Sequence, residues 1–128
     1  MPRVSKSMKM ASLFAALADA TRLRLLNLMT GREVCVCYFV EILGQNQPKI
    51  SRHLAYLRRA GIVRARREGK WMHYSLCTPA DDSAASILAA ALAALGGDRQ
   101  MQAERRKLDS ICCVPQTPAP LKSISLRN

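Results

Sequence analysis

Residues 44–76 read GQNQPKISRHLAYLRRAGIVRARREGKWMHYSL, and this stretch decides the fold. Pro48 suits the first position of a helix, because its missing N–H would have no intrahelical partner there. Apolar residues then recur at three- and four-residue steps as far as Ala60, which predicts a helix. After Gly61 the residues alternate between apolar and polar on both sides of Gly69, which predicts a β-hairpin. We therefore expect a helix followed directly by a two-stranded wing.

Three further helices are predicted upstream of this stretch. The first runs from about Met8 to Leu17. Asp19 can cap a second helix, which stops at Gly31. Residues 33–43, EVCVCYFVEIL, form a short third helix. This third helix, the turn GQNQ and the helix that follows have the outline of a helix-turn-helix, in which a tight turn with Gly joins two helices.

The chain after the hairpin predicts one long helix and a tail. Pro79 and Asp81 open an Ala-rich helix, which Gly96 and Gly97 interrupt before a polar stretch. From Val114 on, prolines and serines leave too little apolar surface for packing, which predicts a disordered tail.

Size and charge narrow the class of protein. A chain of 128 residues fits one small domain, and an Ala- and Leu-rich domain of this size often gains further core by dimerising. Lys and Arg total 20 against 9 Asp and Glu, a formal charge of +11, which favours nucleic acid as the partner. A basic surface that only aids solubility is the alternative. We expect a mainly α-helical winged helix-turn-helix with a small β-hairpin (α+β), with the DNA-binding and dimerisation domain over residues 1–110 and a cysteine-pair segment and tail over residues 111–128.

The sequence predicts a cytoplasmic protein that does not bind a membrane. No stretch approaches the ~18 consecutive apolar residues of a membrane helix, and the basic N-terminus turns amphipathic before any apolar run long enough for a signal peptide. The five cysteines are an odd number, which does not form the even framework of a secreted disulfide scaffold. Reduced thiols are therefore expected.

The helix from Pro48 to Ala60 is predicted to read double-stranded DNA. The 100° step per residue places Ile50, Leu54 and Leu57 on an inner face and Ser51 and Arg52 on the outer one. Side chains in the first turns of such a helix reach base edges in the major groove, and arginines around the hairpin turn suit phosphates. The alternative is a basic helix that is merely solvated. The predicted DNA contacts are Gln47, Lys49, Ser51, Arg52, His53, Arg66, Arg67 and Lys70.

The aromatic and histidine side chains have a structural interpretation beside the functional one. Trp71 and Tyr74 are expected to pack the wing against the body, since a duplex offers no splayed bases for stacking. His53 and His73 are expected to be structural or to face phosphate. Two histidines without a neighbouring carboxylate pair do not indicate a zinc or catalytic site.

Three segments resemble the ArsR/SmtB family of metal-responsive repressors, in its arsenic- and antimony-responsive branch. They are EVCVCYFVEIL (33–43), QPKISRHLAYLRRAGIV (47–63) and REGKWMHYSL (67–76), and the likeness extends from about Met8 to Leu95. The resemblance implies a winged-helix homodimer joined through its first and last helices. It also implies a repressor that stays on its operator until an inducer ion binds.

The cysteines are predicted to hold trivalent arsenic or antimony, which prefers soft thiolates and takes three of them. The usual third ligand of the family pattern is replaced by Val40. On a regular helix, residues two apart point about 200° away from each other, so Cys35 and Cys37 can share an ion only if the start of the helix is distorted. One of them is therefore expected to need an outside partner. We predict a mixed site of Cys35, Cys37 and one or both of Cys112 and Cys113, which sit just past the last helix and come from either subunit. No organic cofactor is expected.

Each thiol also has a plainer interpretation. Cys35 and Cys37 can be small buried hydrophobic residues. Cys112 and Cys113 can be an inert pair, or a separate site for an organoarsenical. Cys77, at the end of the wing strand with no second thiol nearby in sequence, is expected to be structural.

Two other functions compete with the arsenic-responsive repressor. A thiol redox switch or oxidoreductase is disfavoured because no C-x-x-C motif is present. A zinc- or cadmium-sensing repressor of the same fold is disfavoured because zinc is expected to recruit His or carboxylate, and the last helix has no histidine. The chain is therefore not expected to be an enzyme.

Overall fold

The computed structural model describes residues 5–112, in which six helices and three strands are found. The elements in chain order are α1 (Lys6–Leu17), α2 (Ala20–Leu28), β1 (Val34–Cys35), α3 (Val36–Leu43), α4 (Gln47–Arg59), β2 (Val63–Glu68), β3 (Trp71–Leu76), α5 (Asp82–Gly96) and α6 (Arg99–Cys112). The predicted disordered tail and Cys113 lie outside the described residues. The winged helix-turn-helix expected from the sequence is confirmed by α3, α4 and the β2–β3 hairpin.

The core lies where α4 meets α2, α3 and the base of the wing. Ile50, Leu54 and Leu57, the predicted inner face of α4, are all completely buried. Burying a Leu, Ile or Phe side chain contributes about 1.5–3 kcal/mol. Leu25 of α2 and Phe39 of α3 are buried in the same cluster, so α4 is held firmly while its other face stays open.

Polar caps set where the helices begin. The Asp19 carboxylate accepts a hydrogen bond from the Arg22 N–H (3.0 Å), and the Asp81 carboxylate caps α5 in the same way, as the sequence predicts. Asn46 caps α4 by accepting from the Lys49 N–H (3.0 Å), so this helix starts one residue before Pro48. These caps satisfy N–H groups that have no intrahelical partner.

The wing is part of a three-stranded antiparallel sheet in the order β1-β3-β2. Gly69 adopts φ +61° in the hairpin turn, a conformation that favours glycine. The sequence predicts one helix over 33–43, and this is wrong at its start, because Val34 and Cys35 pair with Tyr74 and His73 of β3. The edge of β3 offers unpaired backbone groups to this segment, a long-range contact that helical periodicity does not report.

A second helix follows the Ala-rich one where the sequence predicts only a polar stretch. Leu108 is buried on α6, which packs against α2 and α3. The expectation that Cys112 sits just past the last helix is wrong, because α6 continues to that residue. Between residues 5 and 112, no helix is long and apolar enough to cross a membrane.

Candidate nucleic-acid interface and thiol site

The outer face of α4 presents most of the predicted DNA-contacting side chains together. Gln47, Lys49 and Arg52 are exposed in its first two turns, and Ser51 is half-buried between them. The ion pairs found among residues 5–112 involve neither Lys49 nor Arg52. These side chains are therefore available to an external anion or base edge.

Arg22 of α2 contacts α4 on the side that faces α2 and helps to hold this helix in place. Its guanidinium donates to the carbonyl oxygens of Ala15 and Ala16, both at 2.9 Å. The same group lies over the Tyr56 ring, 4.1 Å from its centroid, and its Nη1 is 3.4 Å from Nδ1 of His53. Arg22 thus joins the end of α1 to the body-facing side of α4, a role that no sequence motif signals.

His53 is expected from the sequence among the DNA contacts, and the structure places its ring against α2. Besides the contact with Arg22, its Nδ1 lies 4.0 Å from Oδ1 of Asp19. Burial lowers the pKa of His53, although the Asp19 carboxylate acts in the opposite direction. The imidazole is therefore neutral at neutral pH and is a poor phosphate ligand in this position.

The wing residues divide into free and engaged side chains. Arg67 and Lys70 are exposed, and no acidic side chain in the described chain pairs with them. Arg66 instead donates to both carboxylate oxygens of Glu33, at 2.7 and 3.0 Å, and also approaches Glu68 at 3.5 Å. These contacts raise the pKa of Arg66 further and lower that of Glu33. The sequence missed Glu33, because only the pairing of β1 with the wing brings it near Arg66.

The two aromatic residues of the wing, Tyr74 and Trp71, differ in burial. Tyr74 is buried with its ring centroid 6.4 Å from that of Phe39, so its predicted packing role is confirmed. The same prediction for Trp71 is wrong, because its side chain is half exposed beside the turn. The Lys70 ammonium lies 5.6 Å from the Trp71 ring centroid. His73 turns its Nε2 to Glu68 at 3.3 Å.

Cys35 and Cys37 are brought together. Cys35 is buried in an extended conformation (φ −73°, ψ 144°) as the residue that caps α3, whereas Cys37 is exposed in the first turn of that helix. Their Sγ atoms lie 3.4 Å apart. The two thiols do not diverge as they would on one regular helix, because the start of the predicted helix is distorted into a strand. The change from strand to helix between them makes the thiols converge.

The Cys37 thiol has a raised pKa. Partial desolvation and the hydrogen bond that Cys37 donates to Cys35 raise the pKa of the Cys37 thiol to about 11. A reactive redox cysteine needs the opposite shift, because the thiolate is the nucleophile. The surroundings therefore disfavour the thiol-redox alternative.

Two more cysteines of the described chain lie at the ends of other elements. Cys77 follows β3, and its backbone N–H donates to the Ile62 carbonyl (2.9 Å). Cys112 is the last residue of α6. Among the side chains that the structure describes, no group of three or more Cys, His, Asp and Glu is close enough to hold a metal ion.

The winged helix-turn-helix fold and the basic exposed face of α4 are together typical of a transcription regulator. The family described as "Bacterial regulatory protein, arsR family" matches residues 19–65. The arsenical resistance operon repressor of Escherichia coli is 41% identical over 100 residues, which cover 77% of this chain and 78% of that protein. The chain therefore belongs to the ArsR family of bacterial regulatory proteins, and its predicted role as a regulator and not an enzyme is confirmed.

Further relatives agree with this membership. The arsenic resistance transcriptional regulator ArsR1 of Pseudomonas putida is 52% identical over 64 residues, which cover 49% of this chain and 50% of that protein. Among solved structures, HlyU of Vibrio cholerae has a TM-score of 0.59 at 28% identity and covers 69% of this chain and 92% of its own. NolR of Sinorhizobium fredii has a TM-score of 0.57 at 28% identity, over 77% of this chain and all of its own.

Proposed function

We propose that this chain is a homodimeric, cytoplasmic operator-binding repressor that trivalent arsenic or antimony releases from DNA. The observation that carries the proposal is the pair of Cys35 and Cys37 sulfurs, which lie 3.4 Å apart at the start of α3, the helix that precedes the DNA-contacting helix α4. The names of the two arsenic-resistance relatives support the choice of ion. The ligands are Cys35 and Cys37 with one or both of Cys112 and Cys113.

The separation of the two sulfurs suits a trivalent metalloid. With ion–sulfur bonds of about 2.3 Å, sulfurs at this distance subtend roughly 95° at a shared ion, which is less than the tetrahedral angle of structural zinc sites. A three-coordinate ion with a lone pair is pyramidal and has such narrow angles. Thiolates are also the soft ligands that such an ion prefers.

Trivalent arsenic brings the hydroxide groups that take up the thiol protons. Arsenous acid, As(OH)₃, exchanges each As–O bond for an As–S bond, and each thiol proton leaves with a hydroxide as water. No electron is transferred and no proton is released to solvent. Protonated thiols such as Cys37 are thus competent partners for arsenous acid, whereas a divalent metal ion must displace their protons.

The DNA half of the proposal uses the exposed residues of α4 and the wing. Gln47, Ser51 and Arg52 face base edges in the major groove, and Lys49, Arg67 and Lys70 contact phosphates. His53 and Arg66 belong to the same surface but are engaged by Arg22 and Glu33. His53 and Arg66 can therefore contact DNA only if they give up these partners when the protein binds DNA.

Two connections link the thiols to this surface. Cys35 pairs with His73 of β3 and so belongs to the sheet of the wing, whereas Cys37 belongs to α3, which packs against α4. An ion that binds both sulfurs is attached to a strand of the wing and to α3, so the approach of a third thiolate pulls on both. We propose that this pull moves the two DNA-contacting parts relative to each other.

The dimer is proposed to form through α1 and α5. Phe14 and Met8 of α1 are large apolar side chains that are 54% and 62% exposed, and Leu88 is the one buried residue of α5. Apolar surface of this kind is typical of a protein–protein interface. Phe14→Glu should therefore yield monomers in sedimentation or light-scattering measurements, with α4 and the wing still folded.

The deciding experiment is retardation of operator DNA during titration with arsenite, antimonite and zinc. The unmodified protein should bind the operator. Arsenite or antimonite should release it at a much lower concentration than zinc. Cys35→Ser or Cys37→Ser should bind the same DNA but keep it in the presence of arsenite. Cys77→Ser is the matched control and should behave as the unmodified protein. Release of Cys35→Ser at the ordinary arsenite concentration would refute this assignment.

A further inference from the structure

We infer that Trp71, at the tip of the wing, is a DNA-contacting residue whose indole packs into the minor groove beside the segment that α4 contacts. The inference rests on the operator-binding half of the proposed function and goes beyond it, since that half gives the wing only phosphate contacts through Arg67 and Lys70. The surface that the indole would take is the wall of a B-form minor groove, made of deoxyribose rings and base edges.

The first support is the face of the wing on which Trp71 lies. Trp71 and Tyr74 are three residues apart on β3, and side chains alternate between the two faces of a strand, so these two lie on opposite faces. Tyr74 is buried and its ring lies near that of Phe39, whereas Trp71 is 50% exposed. The face that carries Trp71 therefore points away from the core. A large aromatic side chain with a polar N–H is typical of an interface and not of a solvated surface.

The second support is the positive charge around the indole. The Lys70 ammonium lies 5.6 Å from the ring centroid, which is within the range of a cation–π contact. Arg67 is exposed on the neighbouring strand, and no acidic side chain among residues 5–112 pairs with it or with Lys70. The carboxylate of the hairpin, Glu68, is contacted by Arg66 at 3.5 Å and by His73 at 3.3 Å. An aromatic ring among uncompensated cations suits a polyanion better than an apolar protein surface.

The third support is the reach of the wing. Its base follows α4 directly, where Ile62 and Val63 are buried, and its tip at Gly69 is exposed. Each strand has six residues, so the hairpin extends about 20 Å at roughly 3.3 Å per residue. The two grooves of B-DNA alternate about every half turn, or roughly 17 Å along the helix axis. When α4 lies in the major groove, the tip of the wing therefore reaches the neighbouring minor groove.

The chemistry of the indole predicts which base pairs it accepts. Its N–H is a donor, and the ring offers no acceptor. In the minor groove, A·T and T·A pairs present only acceptors, whereas a G·C pair adds the N2 amino group of guanine. That amino group is a second donor and projects toward the ring. Trp71 should therefore favour A·T over G·C pairs in the segment beside the wing, a preference that α4 cannot supply from the major groove.

Fluorescence of the unmodified protein is the first test, because Trp71 is the only tryptophan of the chain. Operator duplex is added until retardation shows saturation, and quenching by acrylamide is measured before and after. The quenching constant should fall at least about twofold, because DNA covers the exposed half of the indole and excludes water from it. Unchanged quenching at saturation would overturn the inference. Absence of retardation would instead refute the proposed function itself.

Two variants separate an apolar contact from a charge effect. Trp71→Ala should weaken operator binding about 10-fold or more at every salt concentration, because apolar contact area is lost. The slope of its log affinity against log salt should stay unchanged, because no cation is removed. Lys70→Ala is the matched control at the next position and should flatten that slope. Unchanged affinity of Trp71→Ala, or a slope as flat as that of Lys70→Ala, would overturn the inference.

Modified operators identify the groove. Three duplexes carry A·T, inosine·C or G·C pairs in the segment about five base pairs, or half a turn, outside the α4 contacts. Inosine lacks the N2 amino group of guanine, so its pair with C resembles A·T in the minor groove and G·C in the major groove. The first two duplexes should bind equally and the G·C duplex more weakly, and Trp71→Ala should remove this difference. Equal binding of the inosine·C and G·C duplexes would overturn the inference.

Discussion

Cys35 and Cys37 are two residues apart, but their surroundings differ sharply. The first sulfur is buried in a strand, and the second lies in the first helical turn and donates a hydrogen bond to the first. The raised pKa of about 11 keeps Cys37 in the thiol form at neutral pH, which disfavours its oxidation.

We expect Cys37 to react slowly with alkylating reagents. A pKa of about 11 instead of 9.0 leaves roughly 100-fold less thiolate at pH 8, and the rate should rise with pH until about pH 11. Peptide-resolved mass spectrometry after iodoacetamide treatment measures this rate for each cysteine. Cys35→Ser removes the sulfur partner and should accelerate the reaction of Cys37. A rate equal to that of an ordinary free cysteine at pH 8 would contradict the assigned environment.

Arg52 should carry sequence discrimination. It is exposed in the second turn of α4, on the face opposite Ile50 and Leu54. Arg52→Ala should cost about 1–3 kcal/mol at one base position if the guanidinium makes a bidentate contact. Binding to a panel of single-base operator variants measures this. Equal weakening on every sequence would assign Arg52 to phosphate instead, and Arg58→Ala serves as a control on the same helix.

At the scale of the elements, β1 is the part that joins Cys35 to the wing. Although it is only two residues long, it pairs with β3, and Glu33 just before it holds Arg66 of β2. The arginine therefore ties the wing to the cysteine-bearing strand, whereas the sequence predicts a role in DNA binding alone. A strand that belongs to both sites can transmit a movement from one to the other.

Glu33→Gln should weaken the coupling between the ion and DNA. The variant removes the charged partner of Arg66 but keeps every cysteine, so arsenite should still bind while more of it is needed to release the operator. Arsenite binding and operator release are measured separately on the same preparation. Glu68→Gln is the matched control, since Glu68 contacts the same arginine from within the wing, at 3.5 Å. Equal release by Glu33→Gln and the unmodified protein would show that the signal takes another route.

At the scale of the whole molecule, the charge of +11 should dominate the affinity for DNA. Each phosphate that a basic side chain neutralises contributes about 0.9 to the slope of log affinity against log salt. Lys70→Ala, at the tip of the wing, should flatten this slope by about that amount for each phosphate that Lys70 neutralises. The measurement is operator affinity at several salt concentrations. An unchanged slope would show that the wing tip does not touch the DNA backbone.

The sequence alone determined the features that depend on neighbouring residues. The inner face of α4, the caps at Asp19 and Asp81, and the hairpin around Gly69 all follow from local spacing and turn chemistry, and the structure confirms them. The class of protein followed too, because motif order and basic charge are properties of the chain. The cysteines were visible in the sequence as candidate soft ligands, although their arrangement was not.

Only the tertiary structure decided how the thiols and the wing are connected. Cys35 leaves the helix because the edge of β3 offers it a strand partner, and this turns two diverging sulfurs into a pair 3.4 Å apart. Arg66 meets Glu33 across 33 positions, and Arg24 meets Glu104 across 80. Contacts between such distant residues depend on how the elements pack, and the periodicity of a single segment carries no information about them.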